Sequence, residues 1–101
     1  MRPKYTRRDI NHAEVVKDLR DMGMVVWDLA DCGGKILDLM VFWRGMAVPV
    51  EVKQPGQERN LTEDERASML ELETVGIWPV ICVCAEDVKE HIEERYARLE
   101  E

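Results

Sequence analysis

Apolar residues recur at helical spacing over residues 9–22, where Ile10, Ala13, Val16 and Leu19 fall every third position. Val15 and Met22 widen that stripe, and Gly23 stands where a helix would stop. The pattern predicts a first helix there. Residues 24–30 are β-rich and read as a strand, followed by a turn at Asp31-Cys32-Gly33-Gly34-Lys35. Residues 36–43 and 46–53 read as two more strands, with Arg44-Gly45 as a two-residue hairpin turn. A polar loop over 54–60 contains Pro55-Gly56. Thr62-Glu63-Asp64-Glu65 has capping-box spacing, with Thr62 as the N-cap of a helix reaching about Val75 and Gly76 ending it. Residues 77–85 form an apolar run without alternation, read as a fourth strand buried on both faces. Residues 86–99 close the chain as a helix, with Val88, Ile92 and Tyr96 on one side.

The predicted order is α-β-β-β-α-β-α. Three consecutive strands, then a helix and a strand, imply an antiparallel meander plus one crossover strand in an α/β domain. The 101 residues show no internal repeat and fit one domain, with 1–7 as a basic arm. A hydrophobic share of 46% is too high for intrinsic disorder. No run approaches the ~18 apolar residues that a membrane span requires. The N-terminal residues are basic without an apolar stretch behind them, which is not a signal-peptide pattern.

A net charge of −7 argues at first against a nucleic-acid partner, because Lys and Arg dominate phosphate binding. Its distribution changes that reading. Residues 1–20 carry +3, whereas 62–73 and 86–101 carry −4 each. The negative excess thus sits mainly on two predicted helices, where it serves solubility. Cys32, Cys82 and Cys84 are an odd number without metal-ligand spacing. They read as buried free thiols in a reducing cytoplasm. His12 and His91 lack partner motifs and read as ordinary helix residues.

The hairpin turn fixes a register. With Arg44 and Gly45 as turn residues, Trp43 pairs with Met46, and counting back along both strands sets Asp38 opposite Glu51. That pair is non-hydrogen-bonded, so the side chains stand at their closest. Lys53 points to the same face as Glu51. Like charges directly opposite are destabilising, and a divalent cation resolves the conflict. Mg²⁺ takes oxygen ligands at ~2.1 Å, commonly one or two carboxylates plus water and phosphate oxygens. Lys53 beside it would orient or help deprotonate a water. The alternative is a solvated strand face with a neutralising lysine. Pro49 cannot donate to a ladder, so the fourth strand is not expected to pair at that residue.

Asp38 followed by Glu51-Val52-Lys53 matches the D-x(n)-E-x-K signature of the PD-(D/E)XK nuclease superfamily. Asn11-His12-Ala13-Glu14, Leu19 and Gly23 precede it, and Gly33-Gly34, Arg44-Gly45, Leu61-Thr62, Gly76 and Glu86-Asp87-Val88 complete a longer pattern. Over roughly residues 8–92 the chain resembles the small stand-alone VRR-NUC (virus-type replication-repair) nucleases of phages and bacteria. The resemblance implies a restriction-endonuclease-like αβββαβα core, with a mixed four-stranded sheet flanked by helices. It also implies Mg²⁺- or Mn²⁺-dependent hydrolysis of phosphodiesters. Asp38, Glu51 and the Val52 carbonyl would hold the metal, with Lys53 as the catalytic lysine. Glu14 matches the acid that such nucleases place near the metal from the first helix; alternatively it is an exposed helix acid.

Two departures stand out. Leu37 replaces the family's proline before the first acid, and Glu65 occupies the position of a family glutamine. Glu65 can help bind metal or orient water, or only complete the capping box with Thr62. Gln54, immediately after Lys53, is a candidate substitute for the missing glutamine. The reading is an endonuclease acting on branched or flapped DNA, gripped by Arg2, Lys4, Arg7, Arg8, Lys35 and Arg59. So small a chain has little surface for a duplex, which points to a homodimer. The alternatives are a non-catalytic binding or assembly module that keeps the fold, and an RNA-directed nuclease on the same site.

Overall fold

A computed structural model describes residues 9–33 and 36–100 of the chain. Helix α1 (His12–Asp21) leads into β1 (Val25–Asp28), β2 (Leu39–Trp43) and β3 (Met46–Val52). Helix α2 (Glu63–Glu73), β4 (Val80–Cys82) and α3 (Ala85–Leu99) follow. The four strands form one mixed sheet in the order β1-β2-β3-β4. The first two pairings are antiparallel and β3/β4 is parallel. The element order is the one the apolar pattern predicts.

The core cluster lies on one face of that sheet. Val26, Leu39, Val41, Val48, Val50 and Val52 gather with Val15, Val16 and Leu19 of α1 and Val88 and Ile92 of α3. Alternation along β3 explains the choice, since 48, 50 and 52 share one side of the strand. The phase of α1 differs from the predicted one. Its buried stripe is His12, Val15, Val16 and Leu19, at i, i+3, i+4 and i+7. Ile10 is 89% exposed and Ala13 is exposed, so neither joins the core. Ile10 precedes the helix, and His12 takes the core position instead. The helix ends in a Schellman motif: Met24 N donates to Leu19 O at 3.2 Å and Gly23 N to Arg20 O at 3.0 Å. Gly23 adopts φ +94° there, a conformation that a side chain would strain.

The turn at Arg44-Gly45 has φ +51° and +75°, as a type I′ hairpin requires. Every β2/β3 pair follows the predicted register, from Trp43↔Met46 to Leu39↔Val50. Parallel pairing with β4 begins at Val50↔Val80 and leaves Pro49 out, so no donor is missed. The fourth strand is shorter than its apolar run, and it lies at a sheet edge. Val80 and Cys82 are buried, but Ile77 and Trp78 are exposed, which corrects the expectation of burial on both faces. Ile77 and Trp78 precede the strand, and within it Val80 and Cys82 face the core while Ile81 on the opposite face is only half-buried. Cys32 is exposed and Cys84 half-buried, leaving Cys82 as the one fully buried thiol of the three. Burial pushes the Cys82 thiol up to about 12. Helix α2 lies against the other face, where Ser68 is buried and Leu72 lines a crevice with Met40 and Pro49.

Candidate functional site

The polar residues collect where β3 and β4 end. Asp38 lies one position before β2, so the observed register extends to set it opposite Glu51. Its Oδ2 accepts a hydrogen bond from Val52 N at 3.0 Å, which turns the carboxylate over the end of β3. Glu51 is 3% exposed and Lys53 9%. Lys53 N donates to Cys82 O at 2.8 Å, carrying the parallel ladder one step beyond the end of β3. Its Nζ donates to Glu65 Oε1 at 2.9 Å and stands 3.9 Å from Glu51 Oε2.

Glu65 has two jobs. The capping box is present: Thr62 Oγ1 accepts from Glu65 N at 3.1 Å, and Glu65 Oε1 accepts from Thr62 N at 2.9 Å. The same oxygen takes the Lys53 ammonium. Helix α2 is thereby started and tied to the site by one carboxylate.

Charge in this cluster is unbalanced. Burial raises the Glu51 carboxyl, the neighbouring Glu65 and Asp38 raise it further, and it reaches about 9. Asp38 is raised as well, chiefly by burial, against the lowering effect of its Val52 hydrogen bond. Burial also works against the charged form of Glu65, but hydrogen bonds from Glu51, Thr62 and Lys53 outweigh it and hold the group below the usual range. For Lys53, burial is outweighed by Glu65 and Glu51, and the ammonium is held charged. One lysine therefore faces three carboxyls, and Glu51 keeps its proton near neutral pH.

Asp38 and Glu51 are the side chains here that could hold a divalent cation. Ionising Glu51 beside Asp38 needs more positive charge than Lys53 supplies among the described residues, and a hard cation with oxygen ligands would supply it. Among the described residues no three His, Cys, Asp or Glu side chains form a ready-made metal cage. Two carboxylates are, however, the usual protein share of a Mg²⁺ site, the rest being water and phosphate oxygens.

The other sequence-derived site residues are placed less centrally. Glu14 is exposed in the first turn of α1, and Arg59 is exposed in the loop after β3. Gln54 is half-buried beside Lys53. Arg2, Lys4, Arg7, Arg8 and Lys35 lie outside the described residues.

Three residues join the site whose part in it was not read from the sequence. Asn11 Nδ2 donates to Lys53 O at 3.1 Å and to Val83 O at 2.7 Å, binding the start of α1 to the ends of β3 and β4. His12, only 2% exposed, sets its Nε2 3.1 Å from both carboxylate oxygens of Asp28. This corrects its reading as an ordinary helix residue. Asp28 pairs with Leu39, and Leu29 N donates to Asp38 O at 2.7 Å, so His12 anchors the strand beside Asp38. Asn11 Oδ1 and His12 Nδ1 are both enclosed without a partner among the described residues. A polar residue on the i, i+3, i+4, i+7 apolar stripe was the available signal for His12. Asn11 had its N-cap residue type and its place in the Asn11-His12-Ala13-Glu14 pattern, neither of which gives its partners.

Asn11→Ala removes the donor shared by two carbonyls. It is expected to destabilise the fold by about 1–3 kcal/mol, read as a lower urea midpoint with an unchanged slope. An unchanged midpoint would show that solvent replaces both bonds.

Comparison of the chain with protein-family models, with curated proteins and with solved structures gives no match.

Proposed function

We propose that the protein is a Mg²⁺- or Mn²⁺-dependent endonuclease that hydrolyses DNA phosphodiester bonds. The observation that carries this reading is the register itself. It sets Asp38 opposite Glu51 with Lys53 on the same face, in an α/β domain whose element order fits a restriction-endonuclease-like core. The VRR-NUC resemblance adds the activity class, with branched or flapped DNA as the favoured substrate and a homodimer as the working form.

Asp38, Glu51 and the Val52 carbonyl would hold the cation. A bound divalent ion supplies Lewis acidity and offsets charge on a pentavalent phosphorane-like transition state. Lys53, buried and fixed by Glu65, orients the attacking water and holds a proton near it. Glu65 positions Lys53, and Asn11 fixes its backbone. Glu14 is assigned a supporting role from the first helix on the resemblance alone.

The test is a cleavage panel of branched, flapped, single-stranded and duplex DNA with Mg²⁺ or Mn²⁺, with RNA counterparts alongside. Wild-type protein is expected to cut at least one DNA substrate, and Glu51→Ala none. Cleavage of RNA alone would move the assignment to the RNA-directed nuclease. No cleavage, together with no Mn²⁺ binding by calorimetry, would favour the non-catalytic module. The close Lys53–Glu65 ion pair is the observation on that module's side, since it already occupies the lysine.

A further inference from the structure

A second concave site lies away from the carboxylates, between the approach to β4 and the last turns of α3. It is a cleft of about 550 Å³ lined by Trp78, His91, Arg95, Arg98, Glu94 and Leu99, among others. Trp78 precedes β4, whereas Val83 and Lys53 lie past its other end. Trp78 and Val83 flank β4 at opposite ends, so the cleft lies at the far end of that strand from Lys53, whose N–H meets Cys82 O.

Four features of the cleft point to one kind of ligand. Trp78 is 54% exposed, so a large ring face is open to solvent. His91 Nε2 is enclosed and has no hydrogen-bond partner among the described residues. A buried ring nitrogen without a partner is costly, and a ligand group that pairs with it recovers that cost. Arg95 and Arg98 supply two guanidinium groups against one carboxylate, Glu94. Arg98 is held by Glu94 at 2.9 Å in an i, i+4 pair exposed on both sides, a weak bond that competition can open.

We infer that this cleft binds a single-stranded segment of nucleic acid, with an unpaired base stacked on Trp78 and its phosphates on Arg95 and Arg98. An unstacked base offers a π-face for the indole, edge donors and acceptors for His91, and a flanking phosphate for the guanidinium groups. An apolar protein side chain would cover Trp78 but leave the imidazole and Arg95 unpaired. A fully paired duplex keeps its base faces stacked and cannot use Trp78. Burial, with Arg95 alongside, lowers the His91 imidazole from its usual value, so the ring enters as a neutral hydrogen-bonding group. The site does not depend on catalysis at Glu51, and it gives the acidic chain a nucleic-acid contact that net charge conceals.

The test is fluorescence anisotropy of a labelled oligothymidylate with the full-length chain in EDTA, so that no strand is cut. Wild-type protein should bind it more tightly than a duplex of the same length. Trp78→Ala should weaken binding about tenfold, and Trp78→Phe should restore most of it, because stacking tolerates any aromatic face. Arg95→Gln should weaken binding and lower the salt slope by about one. Circular dichroism melts of each variant separate these effects from unfolding. If Trp78→Ala does not fold, Trp78→Leu, which keeps apolar bulk but has no π-face and should also weaken binding, and Arg95→Gln carry the test.

Equal binding by wild type and all these variants would overturn the assignment, as would no binding by wild type. Trp78→Ala altering only the sedimentation coefficient would mark a self-association face and overturn it too. Glu51→Gln binding like wild type while failing to cut separates this site from the nuclease reading. A wild type that binds through Trp78 but never cuts would sink the nuclease reading alone.

Discussion

Lys53→Met is expected to lower metal-dependent DNA cleavage by about 10²–10⁴-fold, the range lost with a positioned proton-transfer group. The thioether keeps much of the buried stem volume and removes only the ammonium, which matters because Lys53 is 9% exposed. The ammonium has two carboxylate neighbours, Glu65 Oε1 at 2.9 Å and Glu51 Oε2 at 3.9 Å. Its loss leaves Glu65 without its cation and raises the Glu51 carboxyl further. Folding is therefore expected to weaken too, since removing one partner of a buried pair strands the other charge. Single-turnover cleavage should be compared at a temperature where circular dichroism shows both proteins folded. Glu65→Gln is the informative companion. Glutamine can still complete the capping box, but it pairs with Lys53 only as a neutral acceptor. Its rate should fall less than that of Lys53→Met. A Lys53→Met protein that folds and cuts at the wild-type rate would remove the lysine from the mechanism.

Without divalent metal, stability should fall as pH rises from about 5 to about 9. The Glu51 carboxyl moves from an ordinary 4.5 to about 9 in the folded chain. Across that window the folded state holds a proton that the unfolded chain has released. Proton binding then favours folding, and each pH unit gained costs up to about 1.4 kcal/mol. Lys53 acts in the same direction at higher pH, because its raised value gives stability that disappears once it deprotonates. Glu65 acts oppositely at acid pH: its lowered value gives stability that is lost as pH falls through it. Denaturant midpoints in EDTA should accordingly peak near the weakly acidic side and decline toward pH 9. Glu51→Gln should flatten the decline, because the amide has no proton to lose. Saturating Mg²⁺ should restore stability at the alkaline end, by about 2.7 kcal/mol at a concentration one hundred times its dissociation constant. A wild-type profile that rises through pH 6–9 in EDTA would show Glu51 ionised in the folded state. A profile indifferent to Mg²⁺ and Mn²⁺ would argue against a cation between Asp38 and Glu51.

The sequence by itself determined the order of elements, the hairpin and the face that carries Asp38, Glu51 and Lys53. These depend on local rules. Alternation has a period of two, so a two-residue turn at Arg44-Gly45 leaves one register and one set of opposed residues. Thr62 and Glu65 are three residues apart, so their capping box is also local. Only the tertiary structure decided which face of α1 is buried, because that depends on the sheet beneath it. Ile10 is the more apolar residue, yet His12 occupies the core, since Asp28 on β1 waits there to pair with it. The length of β4 was likewise decided by its pairing with β3, which begins at Val80 and leaves Ile77 and Trp78 before the strand. Asn11 meets Lys53 and Val83 across 42 and 72 residues, and no periodicity in the chain encodes such a contact. The second role of Glu65 has the same origin: its cap is written in four adjacent residues, but its bond to Lys53 exists because α2 starts where β3 ends.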